Sequence, residues 1–127
     1  MKKEESVETT KSVDILTNSF ESKTQKIKLE TDDFSCLSND GIFPENGTLI
    51  VEYFPKGKTI DLSSFKSYLH SFRNESFLQE EVTKKIFDDL KKALSHNQIT
   101  VTILFNSNSG IDVTCIESGV RGVIAGY

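Results

Sequence analysis

The chain has 127 residues, of which 36% are hydrophobic and 27% charged, and a formal net charge of -4. These values describe one soluble globular domain with a modest core and exclude a disordered chain or a general nucleic-acid coat. No apolar run approaches the ~20 residues that span a bilayer, no apolar stretch follows the first lysines as in a signal peptide, and two cysteines are too few for a disulfide-stapled secreted domain, so a cytoplasmic location is expected.

Residues 1–22 are polar and without clear period, which predicts a flexible N-terminal arm; Val13, Ile15, Leu16 and Phe20 are its only docking candidates. Residues 23–127 form the single domain. In Thr24–Thr31, Ile27 and Leu29 alternate with Lys26, Lys28 and Glu30, the pattern of a half-buried strand. Asp32 to Gly47 is rich in Gly, Asn and Asp and reads as a loop, with Cys36 inside it. Thr48–Phe54 is a second strand, and Pro55-Lys56-Gly57-Lys58 a turn.

Asp61 is placed to cap a helix from Leu62, whose apolar face is Leu62, Phe65, Tyr68, Leu69 and Phe72. A second helix is expected from Asn74 or Ser76 to about Ser95, with the stripe Leu78, Val82, Ile86, Leu90 and Leu94 joined by Phe87. Gln98–Phe105 and Ile111–Glu117 are two further strands around a turn at Asn106–Gly110. Strand, strand, helix, helix, strand, strand predicts an α+β fold, a four-stranded antiparallel sheet with two helices on one face. So small a sheet leaves edges exposed, a problem relieved when several subunits join sheets into a closed barrel.

Cys36 has two readings: free cysteines are usually structural and buried, yet this one lies among Asp, Ser and Asn. Cys115 alternates in phase with Ile111 and Val113 and reads as core filler. His70 and His96 lack suitably spaced partners for a metal site, and no glycine-rich phosphate loop occurs.

The stretch Phe65-Lys66-Ser67-Tyr68-Leu69-His70-Ser71-Phe72-Arg73-Asn74 resembles the K-x-Y-x-x-S-F-R-N segment of the QueF family. It follows Val51-Glu52-Tyr53-Phe54-Pro55, similar to that family's strand ending in Tyr-x-Pro. It precedes Phe77-Leu78-Gln79-Glu80-Glu81, which stands at the family's His-Glu-Asp or His-Glu-Glu position. The resemblance covers about residues 26–119. It implies the tunnelling fold, a homo-oligomer built as two pentamers, and active sites at subunit boundaries.

The resemblance also implies the chemistry. Cys36 becomes the nucleophile that adds to the nitrile carbon of 7-cyano-7-deazaguanine to give a covalent thioimide, although Leu37 follows it where the family has proline. The proton comes from a carboxyl at the position of Glu45, with Asp40 a rival; the loop between Cys36 and Glu45 is longer than the family's, and Glu replaces Asp. Glu80 stands at the position of the carboxylate that reads the two adjacent N–H donors of the base. Gln79 replaces a histidine and hydrogen-bonds without carrying a proton.

Two branches of the family differ after the thioimide. The reductase uses NADPH; its motif at the start of the first helix matches Asp61-Leu62-Ser63-Ser64-Phe65-Lys66, with Lys66 kept and the first lysine replaced by Ser63. That loss, the short chain and the early C-terminus resemble the archaeal branch, so the favoured expectation is ammonia addition to the base in tRNA, forming archaeosine without a cofactor. The partners would be tRNA bearing the nitrile base and an ammonia donor, with Lys66 and Arg73 as residual cofactor or phosphate contacts and Lys56, Lys58 and Arg121 nearby. NADPH-dependent reduction is the alternative, and a non-catalytic purine binder the third reading.

Overall fold

The computed structural model describes residues 14–106 and 110–120. In chain order the elements are β1 (Thr17–Glu21), β2 (Ile27–Leu37), β3 (Pro44–Tyr53), β4 (Lys56–Ile60), α1 (Leu62–His70), α2 (Gln79–Leu94), β5 (Ile99–Phe105) and β6 (Val113–Ser118). The main sheet has the order β2-β3-β5-β6, antiparallel throughout. The expected ββααββ layer is therefore present, with α1 and α2 inserted between β3 and β5.

The alternation that marked the strands sets the core. Leu49, Val51 and Tyr53 of β3 and Ile99, Val101 and Ile103 of β5 point to one face and are buried, whereas Ile50, Glu52 and Thr102 face the other side and stay partly open. Val82, Ile86, Phe87, Leu90 and Leu94 of α2 and Phe65, Tyr68 and Leu69 of α1 close the buried face. Leu62 and Leu78, assigned to the helix stripes by spacing, are 63% and 46% exposed, because each sits at a helix start beyond the sheet's cover. The Tyr68 hydroxyl donates to the Asp89 carboxylate at 2.6 Å, tying α1 to α2.

Four expectations are corrected. Residues 17–21 are a strand and not part of an arm: β1 pairs with β4, Thr17 opposite Ile60 and Glu21 opposite Lys56. The Pro55–Lys58 turn is correspondingly shorter, since Lys56–Ile60 is drawn out as the partner strand. Residues 1–13 lie outside the described residues. The loop expected over Asp32–Gly47 shrinks to residues 38–43. The second helix begins at Gln79, because Glu75 and Phe77 are engaged by the backbone of Leu37 instead.

Helix starts follow capping chemistry. The Asp61 carboxylate accepts the Ser64 N–H at 3.0 Å, as its position before Leu62 predicted. At α2 the Glu81 carboxylate reaches back to the Leu78 N–H at 2.9 Å. Among the described residues no helix is long and apolar enough to cross a membrane.

Candidate active site

The site is built on the β2–β3 hairpin. Pairing breaks between Thr31 and Phe34, a bulge that leaves Asp32 and Asp33 exposed. Beyond it Phe34 and Cys36 face the core, and Cys36 pairs directly with Glu45 on β3. Gly47, two residues on, is required by close approach: a Cβ there would lie 2.5 Å from the Leu104 carbonyl oxygen of β5. The tip is a tight turn. Its Ser38 hydroxyl donates to Asp40 at 2.6 Å, the same Asp40 oxygen accepts the Ile42 N–H at 3.1 Å, and Gly41 takes a φ of 78°.

This geometry separates the two candidate acids. Hydrogen bonds from Ser38 and from the Ile42 backbone hold the Asp40 carboxyl below its ordinary range, so it is a fixed anion within the turn. Glu45 is half-buried and sits across the ladder from the sulfur.

Cys36 differs from its expectation: it is not in a polar loop but on a strand, with no exposed surface. The hidden signal was the alternation Phe34–Cys36, out of phase with Ile27 and Leu29 until the bulge restores it. Burial, reinforced by the Glu45 carboxylate, pushes the Cys36 thiol up from 9.0 to about 11. At neutral pH the sulfur carries its proton.

Gln79 and Glu80 occupy the first turn of α2, Gln79 half-buried and Glu80 exposed. Burial raises the Cys115 thiol on β6, a hydrogen bond with Thr83 pulls the other way, and the nearby Glu80 carboxylate adds a smaller upward push. Cys115 is half-buried against the core, whereas Ile111, expected on the same face, is 70% exposed because the strand begins only at Val113. What links the α2 turn to Cys36 was not visible in the sequence. The Leu37 N–H donates to the Glu75 carbonyl at 2.9 Å, and the Phe77 N–H donates to the Leu37 carbonyl at 3.1 Å, a parallel bridge between Leu37 and Ser76.

The expected basic residues do not all gather in one place, although Arg73 and Lys66 both lie beside Asp33 at the α1 groove. Arg73 pairs with Asp33 at 3.3 Å. Lys58 reaches the C-terminal end of α2, 3.2 Å from the Ser95 hydroxyl. Lys56 is on β4, and Arg121 lies outside the described residues. Lys66 lines an open groove of about 380 Å³ between α1 and β2, together with Lys28, Leu29, Leu49, Phe65 and His70. Among the described residues no group of histidine, cysteine and acidic side chains has the arrangement to hold a metal.

A four-stranded antiparallel sheet with two helices on one face is the ββααββ layer of a tunnelling-fold protein, here with a cysteine opposite a carboxylate on an outer hairpin. Residues 44–121 match the family model described as QueF-like protein. The chain is 41% identical over 108 residues to the NADPH-dependent 7-cyano-7-deazaguanine reductase of Thermotoga petrophila, covering 84% of this chain and 79% of that protein. It is 34% identical over 106 residues to the reductase of the same name from Nitrosospira multiformis, with 84% and 76% covered. The archaeosine synthase QueF-Like, solved in its apo form, superposes with a TM-score of 0.70 over 78% of this chain and 98% of that one at 22% identity, which is a likeness of fold. The chain belongs to the QueF family of enzymes. Glu45, Lys66, Arg73, Gln79 and Glu80 fall inside the matched segment, and Cys36 just before it.

Proposed function

We propose that this protein converts the nitrile of 7-cyano-7-deazaguanine through Cys36, and that the outcome is NADPH-dependent reduction. The observation that supports it most is the Cys36–Glu45 cross-strand pair in a chain 41% identical, over most of its length, to enzymes named for that reaction. A protonated thiol beside a carboxylate suits addition across C≡N. The S–C bond forms, one C–N π bond opens, and the S–H proton passes by way of Glu45 to the nitrogen, so the step needs no external acid. Glu80 holds the two donor edges of the base, with Gln79 beside it. Glu80 is exposed in the single chain, which leaves it available to a pocket shared with a second copy, as in the ring of two pentamers implied by the family resemblance.

NADPH, when bound, supplies hydride. The groove beside α1 offers Lys66 as an ammonium group for phosphate and Leu29, Leu49 and Phe65 as an apolar floor, while Lys28 on its wall is paired with Glu30 at 3.7 Å and Asp33 adds a second carboxylate. The reductase reading replaces archaeosine formation as the preferred one because it rests on identity across the chain, whereas the archaeosine synthase likeness is one of fold. The second reading, ammonia addition to the base within tRNA, is favoured by Ser63 standing where the reductase motif has a lysine.

The test mixes the protein with 7-cyano-7-deazaguanine and reads the intact mass, with Cys36→Ala as control. A thioimide adduct on the wild type alone is expected, and its absence would leave only a purine-binding protein. NADPH oxidation coupled to amine formation supports reduction. Amidine formation from ammonium and tRNA bearing the nitrile base, without NADPH, would establish the second reading instead. Glu80→Ala is expected to lose base binding while Cys36 remains open to alkylation; unchanged affinity would remove Glu80 from the site.

A further inference from the structure

The bridge between Leu37 and Ser76 joins two places that the chemistry requires to stay in register. Leu37 directly follows Cys36, and Phe77 closely precedes Gln79 and Glu80. The segment that makes the bridge also overlies the sulfur's face of the sheet. Phe34 and Cys36 point the same way from β2. The Phe34 ring meets Phe72 at 6.1 Å between centroids, and Phe72 meets Phe77 at 5.6 Å. Ser76 is also held close to the hairpin tip, since a Cβ on Gly41 would lie 3.0 Å from its hydroxyl. Cys36, on the same face as Phe34 and in the same buried cluster as Phe72, has no exposed surface.

We propose that Glu75–Phe77 is a strap that positions Cys36 against the first turn of α2 and controls its exposure, with the Leu37 N–H as its fastener. This rests on the reading of Cys36 as the nucleophile. The outer edge of β2 offers the Leu37 N–H and C=O to no β3 partner, since Leu37 uses both toward the strap. For a nitrile to reach the sulfur, those two hydrogen bonds must open together, and the opening moves the chain that leads into Gln79 and Glu80. Substrate entry and alignment of the base-reading turn are thereby one motion. A proline at position 37, as the family resemblance has it, would lack the N–H and leave a strap held by a single bond. Leu37 therefore gives this chain a tighter cover than a Cys-Pro sequence would.

The test is the rate of Cys36 alkylation by iodoacetamide, resolved from Cys115 by peptide mass. Leu37→Pro is expected to raise it about fivefold, the effect of losing one net hydrogen bond, while Leu37→Ala, which keeps the N–H, stays within about twofold. A proline variant no faster than wild type overturns the proposal. The wild-type protein supplies an independent reading should the proline variant not fold. The Leu37 and Phe77 amides in hydrogen exchange, and the Cys36 thiol in alkylation once the rate is divided by its thiolate share, should be protected by the same factor, because one opening releases all three. A thiol about tenfold less protected than those amides would show another route to the sulfur and overturn the strap. Neither measurement uses a nitrile, so their failure is distinct from a failure to form the covalent adduct.

Discussion

Replacing Glu45 with glutamine should change two reactions of Cys36 in opposite directions. The thiol is raised from 9.0 to about 11 by burial first and by the Glu45 carboxylate second. At pH 8 its thiolate share is therefore ~100-fold below that of an unperturbed thiol, at tenfold per pH unit. Because the carboxylate is the smaller of the two causes, removing its charge recovers less than about tenfold of that deficit. Glu45→Gln should accordingly speed iodoacetamide alkylation of Cys36 by several-fold and move its pH profile toward lower pH. If Glu45 carries the S–H proton to the nitrile nitrogen, as proposed, the same substitution should slow thioimide formation with 7-cyano-7-deazaguanine by about 10²–10⁴-fold, the usual worth of a positioned proton carrier. The assay is a pair of pH–rate profiles on wild type and variant, one by peptide mass after alkylation and one by intact mass after nitrile addition. Opening of the protein around the sulfur affects both reactions alike, so the opposed signs isolate the carboxylate. If both reactions accelerate, or if nitrile addition is unchanged, Glu45 is not the proton carrier.

Asp40→Asn should lower the melting temperature by loosening the hairpin tip, through weaker acceptance from Ser38 and Ile42, while leaving the rate of adduct formation intact; a lost adduct would return Asp40 to the chemistry. Gly47→Ala should destabilise the protein by about 1–3 kcal/mol in denaturant unfolding, because the new methyl group meets the Leu104 carbonyl at 2.5 Å and the β3–β5 ladder has to spread. His96 accepts the Gln98 N–H on Nδ1 at 3.0 Å, which places its proton on Nε2 toward the Phe54 carbonyl at 2.9 Å. Burial, with Lys56 adding to it, lowers its pKa below 6.5. The unfolded chain thus binds the proton more tightly, so stability rises with pH through the window just below 6.5 and levels off above it. Urea unfolding across pH 5 to 7 should show that slope in wild type and a shallower one in His96→Gln.

The local pattern of the chain was enough for the helices and for the core strands. Asp61 before Leu62, the Val82–Ile86–Leu90–Leu94 stripe and the Ile99–Val101–Ile103 alternation each report burial of one element against its own period, which depends on neighbours close in sequence. Ordered motifs around Tyr53, Lys66–Asn74 and Glu80 were likewise enough for the family. The placement of Cys36 was not. Its strand is interrupted by a bulge that resets the alternation, and its polar neighbours made a hairpin look like a loop.

Only the tertiary structure decided what surrounds that sulfur. The pairing of Cys36 with Glu45, the bridge from Leu37 to Ser76 and the ladder between Thr17–Glu21 and Lys56–Ile60 are all backbone contacts. The last two join segments far apart in the chain. A backbone N–H and C=O are the same in every residue but proline, so such pairing leaves almost no trace in side-chain composition. It is settled when the core elements dock and bring particular edges within hydrogen-bonding reach. The residue types thus determined which elements form, while packing determined that Cys36 is covered and protonated and that its neighbour Leu37 is bridged to the segment leading into α2.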